Sequence, residues 1–342
     1  MTPLFTVLLF LAITALSFAG TKLYITYARQ KAILDIPNER SSHTLPTPRG
    51  GGVVFVAVFL IFICLCPFFY PRAVPLWISL FGGGLIIASV GWIDDRKNIP
   101  APLRLAVHSI AVIWVLYQLG GMPSLSLGFT SLPLGMFGSI LAFLGGVWMI
   151  NLYNFMDGID GLAAGEAVLV SIMAALLTTG TPVSLPLFAL AASVLGFLLW
   201  NWSPAKVFMG DAGSGFLGFA FFCFALYTEN TNTLPLLTWA VLVSVFAVDA
   251  TLTLVMRARQ RKHLSEAHRD HLYQQFIKAE FRHTSVTIGA LLLGFCASLP
   301  AFFFSRYISL LFAVIYVLLG VLWVQLYRRF SSITPKEAGK AL

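Results

Sequence analysis

Long apolar runs separated by short polar turns make up most of this sequence. Eleven runs come close to the roughly 20 residues that a helix needs to cross a bilayer. They lie at about 4–22, 52–69, 76–92, 103–119, 136–153, 162–179, 184–201, 213–228, 234–256, 284–304 and 308–327. The pattern predicts an all-α polytopic membrane protein of about eleven transmembrane helices, built as one domain over residues 1–342. The composition agrees, because 58% hydrophobic and 11% charged residues exclude an ordinary soluble domain.

The basic residues predict how these helices are oriented. Short loops rich in Lys and Arg stay in the cytoplasm. Twenty of the 22 Lys and Arg residues fall in alternate turns, which leaves only Arg72 and Arg306 for the other side. The N-terminus is therefore expected outside and the C-terminus in the cytoplasm, while residues 122–135 read as a small external hairpin. This topology and anionic headgroups account for the net charge of +8, so nucleic acid is not expected as a partner.

The turn after the third run carries two adjacent acids, Asp94 and Asp95. Neighbouring carboxylates repel each other at a membrane border, so a cation is expected beside them. That cation is either the following pair Arg96 and Lys97 or a metal ion. A plain solvated turn is the alternative.

The turn between the fifth and sixth runs has acids and amides but no Lys or Arg. Its polar side chains are Asn151, Asn154, Asp157 and Asp160. Positive-inside topology gains nothing from such a turn. It predicts the binding of a polar or positively charged ligand, with a simple helix cap as the alternative.

The turn after the seventh run begins at Asn201, passes Phe208 and reaches Asp211 at the start of the eighth run. Small residues follow Asp211, so backbone N–H groups at the positive end of a helix could face an anion. An Asp that caps this helix is the other interpretation, and the two are compatible.

The longest internal loop, residues 256–283, holds seven Lys and Arg residues and four of the six histidines. Zinc needs a closed set of orienting ligands, whereas abundant arginine favours phosphate. The first internal loop adds residues that suit either phosphate or lipid headgroups: Arg40, Ser41, Ser42, His43 and Arg49. The acidic turns suit a divalent cation, and the basic loops suit phosphate. Because both lie beside apolar membrane helices, the sequence predicts phosphoryl transfer that involves a lipid.

Four motifs occur along the chain in one order. They are Asp94–Asp95, then Asn151-x-x-Asn154-x-x-Asp157-Gly-Ile-Asp160, then Phe208-Met-Gly-Asp211-x-Gly-Ser214, then His268-Arg269-Asp270-His271. In this order they resemble the motifs of polyprenyl-phosphate N-acetylhexosamine-1-phosphate transferases, glycosyltransferase family 4. The segment Pro46-Thr-Pro48-Arg49-Gly-Gly-Gly and the Arg-Asp-His element look like the bacterial branch that initiates O-antigen and related surface glycans.

The resemblance implies a reaction at the bacterial inner membrane. Undecaprenyl phosphate would attack the β-phosphorus of a UDP-N-acetylhexosamine and release UMP, with Mg²⁺ as cofactor and Mn²⁺ as a second option. By position, Asp94, Asp95 and Asp211 are catalytic candidates, and Asp211 and Asp95 are metal ligands. Contacts to nucleotide or sugar are expected from Asn151, Asn154, Asp157, Asp160, Asn201 and Phe208, the last by stacking on uracil. Contacts to phosphate are expected from Arg49, His268, Arg269 and His271.

Two alternatives remain open on the sequence. A secondary transporter would share the helix count but would place its acids near the midplane of the bilayer. A polyprenyl-diphosphate phosphatase or flippase would share the lipid. The donor sugar, GlcNAc, GalNAc, QuiNAc or FucNAc, is not identified, and a homodimer is left open.

Overall fold

The computed structural model describes residues 3–37, 45–263 and 268–331. The first seven helices are α1 (Pro3–Gln30), α2 (Gly52–Phe69), α3 (Val74–Ile78), α4 (Gly84–Lys97), α5 (Ala101–Leu119), α6 (Met136–Met156) and α7 (Leu162–Leu177). The others are α8 (Ser184–Asn201), α9 (Asp211–Asn230), α10 (Leu236–Leu242), α11 (Ser244–Arg259), α12 (Leu272–Lys278), α13 (His283–Ser298) and α14 (Ile308–Phe330). A π-helical turn, Ser79–Gly83, joins α3 to α4.

All eleven predicted runs are helical. Within the described residues, nine segments are long and apolar enough to cross a membrane. The predicted ninth run is a broken helix, because α10 and α11 meet at an angle of 81°. The sixth run is α7, whose 16 residues extend only about 24 Å, less than the ~30 Å apolar core of a bilayer. The protein is thus an all-α polytopic membrane protein with nine or ten candidate spans.

Two short antiparallel ladders complete the secondary structure that is described. Strands β1 (Leu34–Asp35) and β2 (Thr47–Pro48) pair between α1 and α2. Strands β3 (Ser124–Ser126) and β4 (Ser131–Pro133) form the hairpin predicted for residues 122–135.

Helix α9 is the centre of the bundle. Nearly all of its residues are buried, whereas α1, α5, α13 and α14 are mostly exposed and present apolar side chains to the surrounding lipid. Small residues allow this central position, since helices approach closely where side chains are short. Gly213 of α9 lies against Gly52 of α2, and Gly218 lies against the backbone of Met149 in α6.

The polar turns meet at one end of the bundle. Direct contacts join the segment before α2 to the end of α4, the start of α5 to the start of α9, and the turn after α6 to the turn after α8. The acidic turns predicted from the sequence therefore share one face of the protein. The assignment of this face to the cytoplasm stays a prediction from the basic residues.

Candidate active site

The acidic pair lies on the last turn of α4 and is withdrawn from solvent. Asp94 accepts hydrogen bonds from the backbone N–H of Ile99 and from Arg104. Asn98 allows this arrangement, because its positive φ of 49° ends α4 and turns the chain back over Asp94. The nearest cations are thus not the adjacent Arg96 and Lys97 but arginines from elsewhere in the chain.

Asp95, although it belongs to α4, caps the N-terminus of α9. Its carboxylate accepts the backbone N–H of Asp211 at 3.0 Å and that of Ala212 at 3.5 Å. The positive end of α9 stabilises this charge. Gly210 is required here, since its φ is +75° and a side chain would collide with Asp95.

Two arginines hold the three carboxylates together. Arg49 lies 2.9 Å from Asp95 and 3.5 Å from Asp211. Arg104 pairs with Asp94 and lies 3.1 Å from Asp211. Three carboxyl groups thus face two guanidinium groups, so one acid is left over to interact with a bound cation.

Backbone contacts position Arg49 at this site. Its carbonyl accepts the Tyr24 hydroxyl at 2.7 Å, and the following glycine-rich segment runs beside the turn before α9. Gly51 donates to the carbonyl of Phe208 at 2.9 Å, and Phe208 donates to the carbonyl of Pro48 at 2.8 Å. The structure thereby places the segment just before α2 next to Asp211.

Asp211 is the most accessible of the three acids. Its side chain is 19% exposed, compared with 1% for Asp95 and 5% for Asp94. It lines a small polar cavity of about 40 Å³ together with Arg104, His108, Asn151 and Asn154. The amide of Asn154 donates to Ser214 at 3.3 Å, whereas that of Asn151 donates back to its own helix at Val147.

The donor set fits a divalent ion held by few protein ligands. In the described part of the chain, no three His, Cys, Asp or Glu side chains come together as a metal-binding group. Mg²⁺ often takes one or two carboxylates and completes its shell with water and substrate phosphates. Asp211 suits that role better than Asp95, whose oxygens already accept two N–H groups and pair with Arg49.

The next two acids of the motif have different surroundings. Burial, followed by the charges of Asp211 and Asp95, raises the pKa of Asp157 to about 7. Asp160 instead fastens loops together, because it accepts the N–H of Ala205 at 3.1 Å and lies 3.4 Å from His283. Burial alone would raise the pKa of Asp160, but the hydrogen bond and charge of His283 outweigh it and lower the pKa.

Asn201 and Phe208 lie beside these loops. Asn201 is buried, accepts the N–H of Gly161 at 3.1 Å and donates to the carbonyl of Val207 at 2.9 Å. Asn201 therefore connects the turn before α7 to the turn before α9. Phe208 is half-buried at the same end of the bundle.

The basic loop contacts the end of α6 through α12. His271 precedes α12 and is buried, and its ring stacks on Tyr273 with centroids 5.8 Å apart. Tyr273 donates to the carbonyl of Phe155 at 3.0 Å, which ties this loop to the end of α6. Asp249 of α11 accepts the N–H of Leu272 at 2.8 Å and the indole N–H of Trp323 at 2.9 Å.

His268 and His271 of this loop have lowered pKa values, which favour their neutral forms. Burial, together with nearby positive charge, lowers the pKa of His268 to about 4, and burial also lowers that of His271. Both could donate one N–H to a phosphate, but the fixed positive charge of the loop comes from its arginines. Arg269 is half-buried between them. Arg40, Ser41, Ser42 and His43 of the first loop lie outside the described residues.

Sequence reasoning missed two residues on α5. Arg104 was counted only as a topological charge, and His108 was not considered. A usable signal existed, since a polar side chain inside an apolar run is commonly functional, and Arg104 and His108 are one turn apart on α5.

Comparisons with known proteins show which sequences this chain is similar to. Residues 77–229 match the model of glycosyl transferase family 4, a range that includes the motifs at Asp94–Asp95, Asn151–Asp160 and Asp211. The chain is 27% identical to a probable undecaprenyl-phosphate N-acetylglucosaminyl 1-phosphate transferase of Bacillus subtilis, over 78% of this chain and 76% of the relative. It is 29% identical to an undecaprenyl-phosphate alpha-N-acetylglucosaminyl 1-phosphate transferase of Escherichia coli, over 81% and 80%. A phospho-N-acetylmuramoyl-pentapeptide-transferase of Trichormus variabilis is 33% identical over 60% and 59%.

Proposed function

We propose that this chain, whose residues 77–229 match the model of glycosyl transferase family 4, transfers an N-acetylhexosamine 1-phosphate from a UDP-sugar to undecaprenyl phosphate. The products are undecaprenyl-diphospho-sugar and UMP. One observation carries the proposal: Asp94, Asp95 and Asp211 are gathered with Arg49 and Arg104 at one end of an apolar bundle. The acceptor lipid has its chain in the membrane and its phosphate at this end.

The bond changes are those of a phosphoryl transfer. An oxygen of the acceptor phosphate attacks the β-phosphorus of the UDP-sugar and forms a new diphosphate linkage. The bond from the β-phosphorus to the bridging oxygen breaks, and its electron pair leaves with UMP. A phosphate monoester has its second pKa near 6, so the nucleophile is already deprotonated at neutral pH and needs little help from a general base.

The reaction joins two anions, so the site must neutralise charge. Arg49 and Arg104 supply two fixed positive charges beside Asp211. Asp211 would hold Mg²⁺, which supplies further neutralisation of the substrate phosphates when bound. Asp95 aligns the N-terminus of α9 and Asp94 orients Arg104, so both act by organising the charges around the reacting phosphates.

The remaining motif residues would bind the UDP-sugar and the substrate phosphates. Asn154, Asp157 and Phe208 lie on the turns next to Asp211 and would contact the nucleotide or the sugar. Arg269, with the N–H groups of His268 and His271, would bind phosphate from the loop before α12. Synthesis of O-antigen or a related surface glycan at the inner membrane is the cellular role that this reaction would serve.

The contacts of two acids inside the bundle, Glu166 and Asp249, favour an enzyme over a transporter. Glu166 accepts the hydroxyl of Tyr153, and Asp249 accepts N–H groups from α12 and α14. Both therefore hold helices together, while the accessible carboxylate, Asp211, lies at the end of the bundle.

The test is an assay of purified protein with undecaprenyl phosphate, Mg²⁺ and each of several UDP-N-acetylhexosamines. We expect UMP to form with at least one donor, only when both lipid and metal are present. Solute uptake by proteoliposomes without UMP formation would instead indicate a transporter, and phosphate release from a polyprenyl diphosphate without UMP would indicate a phosphatase.

A further inference from the structure

A histidine outside the family motifs faces the polar cavity beside Asp211. His108 lies on α5, and its ring lines the cavity together with Arg104, Asn151, Asn154 and Asp211. Its Nδ1 atom is buried and has no hydrogen-bond partner among the described residues. Burying a polar atom without a partner is costly, so such an atom in a site requires an explanation.

Among the polar groups that line the cavity, Arg104 and His108 are the donors that could bind an anion. The amides of Asn151 and Asn154 donate to Val147 and Ser214, and so their N–H groups are already engaged there. Arg104 lies one helical turn before His108, and residues four apart share one face of a helix. Arg104 and His108 together therefore present hydrogen-bond donors to a cavity that also contains the Asp211 carboxylate.

The cavity has the size of a phosphate group. One water needs about 10–15 Å³ by the same measure, so about 40 Å³ corresponds to roughly three waters. Gly91 and Gly215 also line it, and the lack of a side chain at Gly91 lets α4 approach the start of α9 closely beside the cavity.

The position of α5 indicates which substrate's phosphate would occupy the cavity. The outer face of α5 is exposed along the helix, with Leu103, Leu105 and Ile110 at least half exposed, and it therefore faces lipid. The cavity lies directly behind this helix. The acceptor arrives from the membrane and the nucleotide sugar from water, so the lipid substrate has the shorter path to this cavity.

We propose that His108 donates a hydrogen bond to the phosphate of the polyprenyl acceptor, and that Arg104 and His108 together form the acceptor-phosphate subsite. The inference rests on the proposed function and adds a binding residue to it. A hydrogen bond to a charged group contributes enough for loss of the donor to weaken binding about tenfold. The effect should fall on the lipid substrate and not on the UDP-sugar.

Steady-state kinetics of two substitutions test the assignment. His108→Phe keeps a ring but removes both nitrogens, and His108→Asn restores an amide nitrogen at about the place of Nδ1. We expect His108→Phe to raise the KM for undecaprenyl phosphate about tenfold, with the KM for the UDP-sugar within twofold of wild type. His108→Asn should recover most of the loss. Ser109→Ala is the matched control, since among the described residues Ser109 donates only to Leu105 of its own helix, and it is absent from the cavity lining.

Three results would overturn the assignment. One is an unchanged acceptor KM in His108→Phe. Another is an equal rise in both KM values, and the third is a His108→Asn enzyme as impaired as His108→Phe; either would indicate a packing role. If the wild-type protein forms no UMP at all, the proposed function fails instead, so the two failures are distinguishable.

Discussion

Arg104 connects Asp94 to Asp211. Its guanidinium pairs with the buried carboxylate of Asp94 and lies 3.1 Å from that of Asp211, so one side chain of α5 links the end of α4 to the start of α9. The acids that belong to separate motifs in the sequence are in this way parts of one charge network. Arg104 thus has two functions, to hold Asp94 in place and to present positive charge at the site.

Arg104→Ala should therefore lower kcat about 100-fold, the usual scale for loss of one group that stabilises charge in a transition state. The protein should still insert, but its thermal stability should fall, because the buried carboxylate of Asp94 loses its charged partner. UMP formation and thermal unfolding in detergent are the measurements. Arg96→Ala is the control, since Arg96 stacks on Trp92 instead of pairing with these acids. Activity near that of wild type in Arg104→Ala would remove Arg104 from the site.

Asp211 should control the metal requirement. Asp211→Asn keeps the shape of the side chain but removes the charge of the most accessible acid. We expect activity to fall steeply and the Mg²⁺ concentration for half-maximal residual activity to rise at least about tenfold. Chelation should abolish wild-type turnover, and added Mg²⁺ or Mn²⁺ should restore it. An unchanged metal requirement in Asp211→Asn would assign the ion to other residues.

The gathering of the acidic turns could be predicted from the sequence, because apolar runs fix where the chain crosses the bundle and so which turns share an end. Their individual contacts could not. Asp94 and Asp95 are followed by Arg96 and Lys97, yet their partners are Arg104 and Arg49, which only tertiary packing brings near. Similarly, Asp160 and Asn201 belong to motifs that suggest ligand binding, but their contacts hold backbone turns together. The break between α10 and α11 lies within one continuous apolar run, so hydropathy alone does not predict it.

The pair formed by Asp270 and Arg257 should make stability depend on pH. Burial alone would raise the pKa of Asp270, but the hydrogen bond from Arg257 and the charge of Lys262 outweigh it, so the pKa is lowered. A lowered carboxyl pKa adds stability that is complete above the unfolded value of about 3.9 and is lost as the pH falls through the folded value.

Asp270→Asn should consequently lower the free energy of unfolding by about 2 kcal/mol at pH 6–7, because Arg257 is buried and loses a charged partner. The difference from wild type should close below about pH 4. Lys262→Gln is the comparison variant, since Lys262 is half exposed at 3.8 Å and should matter little. A gap between wild type and Asp270→Asn that stays constant down to pH 3 would contradict the ion-pair explanation.

Contact between Gly158 and Tyr273 should couple the acidic turn to the basic loop. A side chain at Gly158 would meet the Tyr273 hydroxyl and lie 2.9 Å from the ring carbon that bears it. Gly158→Ala should therefore displace α12 from the end of α6 and reduce both activity and thermal stability, by roughly 1–3 kcal/mol for an overpacked contact.

A double-mutant cycle isolates this coupling. Tyr273→Phe removes the atom in the tightest contact, at the loss of the hydrogen bond to Phe155. The double variant should therefore be more stable than Gly158→Ala alone, a non-additivity typical of residues in contact. Strictly additive effects would show that the two residues act independently.

The fate of the β-phosphorus tests the central claim most directly. UDP-N-acetylhexosamine labelled with ³²P at the β-position is incubated with purified protein, undecaprenyl phosphate and Mg²⁺, and the lipid and aqueous fractions are separated. Transfer of sugar 1-phosphate predicts the label in the lipid diphosphate, together with unlabelled UMP in equal amount, and neither product with Asp211→Asn. Label that stays in water as UDP or inorganic phosphate, while the donor is consumed, would contradict the account.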